Sequence, residues 1–175
     1  MNSHFAQLEA DVEPLGNVRD YVNEFVSAVQ AGSLLEGFHR REILSLSQYL
    51  ECYGVPRHAT VLREGDDGDF FAVLLTGSAV IVKWHDGVEK IVATVHPGDM
   101  IGEMSMIDGQ KRFASCITTT PCDFAVLTQD KFNALLAEHP RLSNKVLLSL
   151  LQASNARLRH ATSEMLPKLA DFGFV

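Results

Sequence analysis

Cysteine is scarce in this chain and poorly spaced for chemistry. Cys52, Cys116 and Cys122 form no C-x-x-C pair, which speaks against structural zinc and against a disulfide framework. The three read as reduced, packed thiols. Histidine is no better arranged. The seven histidines, at 4, 39, 58, 85, 96, 139 and 160, include no H-x-H and no H-E-x-x-H, so a metal-bearing enzyme of the cupin type has no visible ligand set. No Ser/His/Asp or Cys/His arrangement is evident, and the chain is read as a non-enzyme without a metal or cofactor. Blocks of Lys and Arg are missing too, and the formal net charge is -7, a balance that argues against nucleic acid as a partner. No apolar run reaches about 18 residues, so no membrane span is expected. Met1 to Pro14 is mixed and acidic, without the apolar core of a signal peptide, and a cytoplasmic location is expected.

What is present suits an ordinary globular domain. The chain has 175 residues and is 46% hydrophobic, enough for one proper core. Residues 1–16 read as a weakly ordered tail. Asn17 is placed to cap a helix whose stripe is Val18, Tyr21, Val22, Phe25, Val26 and Val29, ended by Ala31-Gly32-Ser33. A second helix is expected over Leu34 to Tyr53, with Phe38, Ile43, Leu44, Leu46 and Leu50 as its apolar residues.

From Gly54 the texture changes. Short apolar runs (70–75, 79–84, 88–95) alternate with turn signals such as Gly65-Asp66-Asp67-Gly68-Asp69, Thr76-Gly77-Ser78, Asp86-Gly87 and Pro97-Gly98-Asp99. Regular spacing of this kind predicts an antiparallel β-roll or jelly-roll barrel. His85-Asp86-Gly87 is a hairpin turn, since Asp-Gly tolerates positive φ. Ser115 to Leu127 supplies further strands. Thr128 is placed to cap a helix through Glu138, and Pro140 to break it and open the next, over 141–165. The fold class is therefore α+β, a barrel flanked by N-terminal helices and a long C-terminal helix. On that last helix Leu147, Leu151, Ser154, Leu158, Ala161 and Met165 recur at 4-3-4-3-4 spacing. The stripe reads either as a coiled-coil seam between two copies of the chain or as a face packed on its own barrel.

The chemistry concentrates in residues 102–115, Gly102-Glu103-Met104-Ser105 through Arg112-Phe113-Ala114-Ser115. A carboxylate, small residues and an arginine share one short loop. The carboxylate can accept from a sugar hydroxyl, and the arginine fork can clamp phosphate oxygens. Small residues let backbone N–H groups approach an anion. Taken singly, Glu103 and Arg112 read more simply as a surface ion pair.

The ordered pattern Gly102-Glu103-x-Ser105-x6-Arg112-x-Ala114 resembles the phosphate-binding cassette of the cyclic nucleotide-binding domain family. Glu64-Gly65-Asp66, Gly77-Ser78 and Pro97-Gly98-Asp99-Met100-Ile101 support the resemblance, which covers about residues 34–165. It implies a tail and helix over 1–33, the binding domain over 34–165 and a short tail over 166–175.

The resemblance also implies roles. Glu103 accepts from the ribose 2′-hydroxyl. Arg112 pairs with the cyclic phosphate. Gly102, Met104 and Ser105 turn backbone N–H groups to the ligand, and Ala114 adds one more. Ile81 and Val92 touch the purine. Arg157 reaches Glu103, and Thr162 and Ser163 lie near purine-contacting hydroxyls. For Arg157, Thr162 and Ser163 the plainer alternative is a solvated helix surface. Position 113 is often small or hydroxyl-bearing in the family, and here it is Phe113, which lacks a hydroxyl for phosphate or guanine and could partly fill an empty pocket. The implied ligand is cAMP ahead of cGMP. The implied role is a sensor without an attached effector, since residues 166–175 are too few for a helix-turn-helix domain. Such a sensor would be a homodimer through its final helix, read by a separate effector protein. The alternative is a scaffold of the same fold that binds no nucleotide.

Overall fold

Phe70-Phe71-Ala72-Val73-Leu74-Leu75 is apolar at every position because both of its faces are covered. Phe70, Ala72 and Leu74 point into the barrel beside Val61, Phe124 and Val126. Phe71, Val73 and Leu75 point the other way, onto a helical layer with Phe25, Ile43, Leu46, Leu135 and Leu150. The strand thus separates two cores, and the alternation of a half-exposed strand disappears.

The computed structural model describes residues 5, 12–31 and 37–171. Over them the expected fold class is what the chain adopts. One sheet runs in the order β1 (Glu13–Asn17), β2 (Glu51–Val55), β9 (Cys122–Thr128), β4 (Phe70–Thr76) and β7 (Met100–Ile101). The other runs β3 (Thr60–Leu62), β8 (Ser115–Thr118), β5 (Ala79–His85) and β6 (Val88–Val95), and all their pairings are antiparallel. Asp86 and Gly87 turn β5 into β6 with φ of 53° and 80°, the double positive φ that a two-residue hairpin needs.

The helices are α1 (Val22–Ala31), α2 (Arg40–Ser47), α3 (Glu103–Asp108), α4 (Gln129–Glu138) and α5 (Pro140–Asp171). Asn17 caps as expected, its side chain accepting from the Arg19 N–H at 2.9 Å, but it opens a 3-10 turn over Val18–Tyr21 before α1 begins. Thr128 Oγ1 accepts from the Lys131 N–H at 3.3 Å and starts α4. Pro140 takes the first position of α5, where its missing N–H costs nothing. At 32 residues, α5 is about 48 Å long and continues past the expected end at Met165.

Two expectations are corrected. The second helix stops at Ser47, and residues 51–55 form β2, paired to β1 on one side and β9 on the other. Cys52 packs into the helical layer while Tyr53 and Val55 pack into the barrel, a two-sided burial that only a strand provides. Nor is the N-terminal stretch a plain tail. Residues 13–17 form β1, and Phe5 is fully buried with its ring 5.0 Å from those of Tyr53 and Phe70. The expected helix stop at Gly32-Ser33 and the start at Leu34 lie outside the described residues, as do Phe172, Phe174 and Val175.

Along α5, Leu142, Val146 and Leu150 bury into the helical layer, and Leu147 packs half-buried against it. Leu151, Leu158 and Met165 are exposed, so the outer part of the stripe does not rest on its own barrel.

Candidate functional site

A cavity of about 510 Å³ opens between the second sheet, the segment 98–114 and α5, a size typical of small-molecule sites. Its floor is made by β7 and the turn that follows. Gly102 has φ of 80° and swings the chain into α3. That left-handed turn aims the Gly102 carbonyl at Arg112, whose Nη1 donates to it at 2.6 Å. Arg112 Nη2 donates to the Phe70 carbonyl at 2.9 Å, and the guanidinium lies 4.5 Å from the Phe70 ring centroid.

Arg112 is 4% exposed, yet it forms no ion pair among the described residues. A guanidinium has five N–H donors, and two are engaged here. Burial pushes its pKa below the ordinary value, and Asp69, Glu103 and Asp66 work against that push. A buried cation with spare donors at a cavity wall is a place for an anion.

The loop over 64–69 holds Arg112 from behind. The Arg112 N–H donates to the Asp66 carbonyl at 2.8 Å, and the Gly65 N–H donates to the Arg112 carbonyl at 2.9 Å. A Cβ at Gly68 would fall 2.6 Å from Ser105 Cβ and 2.7 Å from Arg112 Cζ. The site therefore needs glycine at 68. Across the cavity Glu103 is 1% exposed, and its Oε1 accepts from Nη2 of Arg157 on α5.

Of the residues singled out from sequence, Ile81, Gly102, Glu103, Met104, Ser105, Arg112, Phe113, Ala114 and Arg157 all line this cavity. Phe113 is 62% exposed, so it sits on the rim and does not fill the empty space. Val92 is corrected. Ile81 pairs with Ala93 and Val82 with Ile91, which makes Val92 the extra residue of a β-bulge. It is 56% exposed, and Ala93 and Thr94 line the cavity in its place. Thr162 and Ser163 do not line the cavity either, in keeping with the plainer reading of a solvated helix surface. They are exposed beyond the cavity, and their hydroxyls donate to their own helix at Leu158 O (2.8 Å) and Arg159 O (2.9 Å). Sequence reasoning missed Ala153 and Ala156, which line the cavity one turn before and beside Arg157. Their spacing of three residues, with Arg157 next, was the available signal.

Three kinds of similarity agree with this geometry. Residues 54–139 match the family described as the cyclic nucleotide-binding domain. The crystal structure of a cyclic nucleotide-binding domain from Methylobacillus flagellatus KT is 42% identical, with a TM-score of 0.82 over 90% of this chain and 89% of that one. A CRP-like cAMP-activated global transcriptional regulator of Mycobacterium tuberculosis is 28% identical over 75% of this chain, and a cAMP-dependent protein kinase regulatory subunit of Aspergillus niger is 34% identical over 64% of it. The chain spans 58% of the mycobacterial protein and 26% of the fungal subunit, so it corresponds to only part of either.

Proposed function

This chain belongs to the cyclic nucleotide-binding domain family, and we propose that its cavity takes a cyclic mononucleotide, cAMP ahead of cGMP, as the signal of a regulatory and non-catalytic module. The observation that carries this reading is Arg112, buried at the cavity wall with donors to spare and no ion-pair partner among the described residues. A cyclic phosphate monoanion supplies the missing charge. The buried Glu103 carboxylate accepts from the ribose 2′-hydroxyl, and Ile81 offers apolar surface to the base.

The preference for adenine rests on two supports. The relatives are described as cAMP-activated and cAMP-dependent. Phe113 has no hydroxyl for guanine, a hydrogen bond worth about 1 kcal/mol. Phe113 leaves the cavity open, which favours binding over a non-binding scaffold of the same fold. α5 brings Ala153, Ala156 and Arg157 to the cavity, so ligand and helix contact each other. A ligand that prefers one placement of α5 shifts the population toward it. No described helix is long and apolar enough to cross a membrane.

Calorimetric titration of cAMP and cGMP into the ligand-free protein tests the reading. Saturable binding at one site per chain, tighter for cAMP, is expected. A folded protein that gives no heat with either would refute it.

The exposed seam of Leu151, Leu158 and Met165 supports a homodimer through α5, with Ser154 and Ala161 allowing close approach. Leu158→Glu places a charge at the seam's centre. Sedimentation should show the wild-type protein as a dimer and this variant as a monomer with unchanged helicity. A monomeric wild-type protein would refute the seam.

A further inference from the structure

Phe113 is a large apolar ring left open to water beside the anion site, and it is not loose. The Lys83 ammonium stands 4.1 Å from its ring centroid and also donates to the Phe113 carbonyl. Lys83 is itself fixed, donating to Glu64 Oε1 at 2.6 Å. The other oxygen of Glu64 accepts from the Trp84 N–H at 3.0 Å, and the Glu64 N–H donates to Ser115 Oγ at 2.9 Å. Phe113 lines the cavity and Lys83 does not. The cation therefore holds the ring without itself lining the cavity, and the ring remains part of the cavity wall.

Ile81 and the methyl-bearing Ala93 and Thr94 line the same cavity and offer a flat ring further apolar surface. Stacking on a fixed aromatic is favourable and grows with the size of the stacked base, while costing little ordering because the platform is already held.

We propose that Phe113, positioned by Lys83, is a base-stacking platform that makes this site select purine over pyrimidine cyclic nucleotides. The proposal rests on the cyclic-nucleotide reading above. It adds a selectivity that Arg112 and Glu103 cannot supply, since phosphate and ribose are the same in every cyclic mononucleotide. Lys83 is a positioning residue here. Its cation holds the ring by cation–π attraction and touches no ligand.

The test is a set of affinities for the 3′,5′-cyclic monophosphates of adenosine, guanosine, cytidine and uridine. The wild-type protein, Phe113→Ser, Phe113→Trp and Lys83→Met are compared, with melting temperatures to confirm folding. Phe113→Ser should lower the purine-to-pyrimidine affinity ratio about tenfold, the size of one lost stacking contact. Phe113→Trp should keep the ratio. Lys83→Met should lower it by a smaller factor while leaving the melting temperature in place. A serine at 113 can regain a phosphate contact, but that gain moves all four affinities together and leaves the ratio alone. An unchanged ratio in Phe113→Ser, with wild-type binding intact, overturns the platform. Wild-type protein that binds none of the four overturns the functional reading and the platform with it.

Discussion

Replacing Arg112 with methionine should abolish cyclic-nucleotide binding by about a hundredfold or more while the ligand-free protein loses only a few degrees of melting temperature. The two halves of this result have separate causes. A buried guanidinium that meets a phosphate with water excluded would make a strong, charge-assisted, bidentate contact. Without ligand the same cation is a burden. Burial already pushes its pKa down, and the carboxylates of Asp69, Glu103 and Asp66 offset that only in part. Removing the cation relieves this cost. It also leaves the carbonyls of Gly102 and Phe70 without their donors, a loss of about 1–3 kcal/mol per buried group. The opposing terms leave a small net change. Methionine keeps an unbranched apolar stem against the Phe70 ring and limits the void.

Thermal melts read both states at once. Ligand at a hundredfold excess over its dissociation constant adds about 2.7 kcal/mol, which is roughly 5–10 °C for a chain of this size. The wild-type protein should show that shift and Arg112→Met should not. If Arg112 served only the fold, the variant would melt early, and ligand would raise the melting temperature of both proteins by the same amount.

Sequence spacing made the centre of this site legible because the cassette is local. Gly102, Glu103, Ser105 and Arg112 lie within one turn, one short helix and the loop after it, and all four line the same cavity. Thr128, Pro140 and Asp86-Gly87 were legible for the same reason, since each acts on its own backbone. The misreadings arise where distant segments decide. Residues 51–55 carry no strand signal stronger than their helical one, and β1 and β9 make them a strand by pairing on both sides. Phe5 sits in a polar stretch and is held by rings at 53, 70 and 124. Val92 stands one residue from the lining, because a bulge shifts every later side chain by one position. Thr162 lies outside the lining because α5 reaches the cavity through Ala153, Ala156 and Arg157 only.

Gly68 is the most instructive miss, since it looked like a turn glycine and serves the site, and Gly68→Ala should cost more than tenfold in ligand affinity. Its φ is not in the left-handed region, so the backbone itself accepts alanine. The obstacle is space. The new methyl would lie 2.6 Å from Ser105 Cβ, 2.7 Å from Arg112 Cζ and 2.8 Å from Arg112 Nε. The loop cannot retreat, because it is bonded on both sides of Gly68. Gly65 and Asp66 exchange backbone hydrogen bonds with Arg112, and the Gln129 N–H donates to the Asp69 carbonyl at 2.7 Å. The guanidinium has to give way instead, and it then leaves the carbonyls of Gly102 and Phe70. Overpacking of this kind costs about 1–3 kcal/mol in stability, and the displaced guanidinium no longer faces the ligand. Gly65→Ala is the contrasting variant. Its Cβ meets nothing within 4 Å, but its φ is +85°, so it should lose about 1 kcal/mol of stability through strain with affinity nearly kept. Calorimetric titration and thermal melts on the two variants separate the effects. Equal affinities in both would mean that close packing behind Arg112 does not set the anion site.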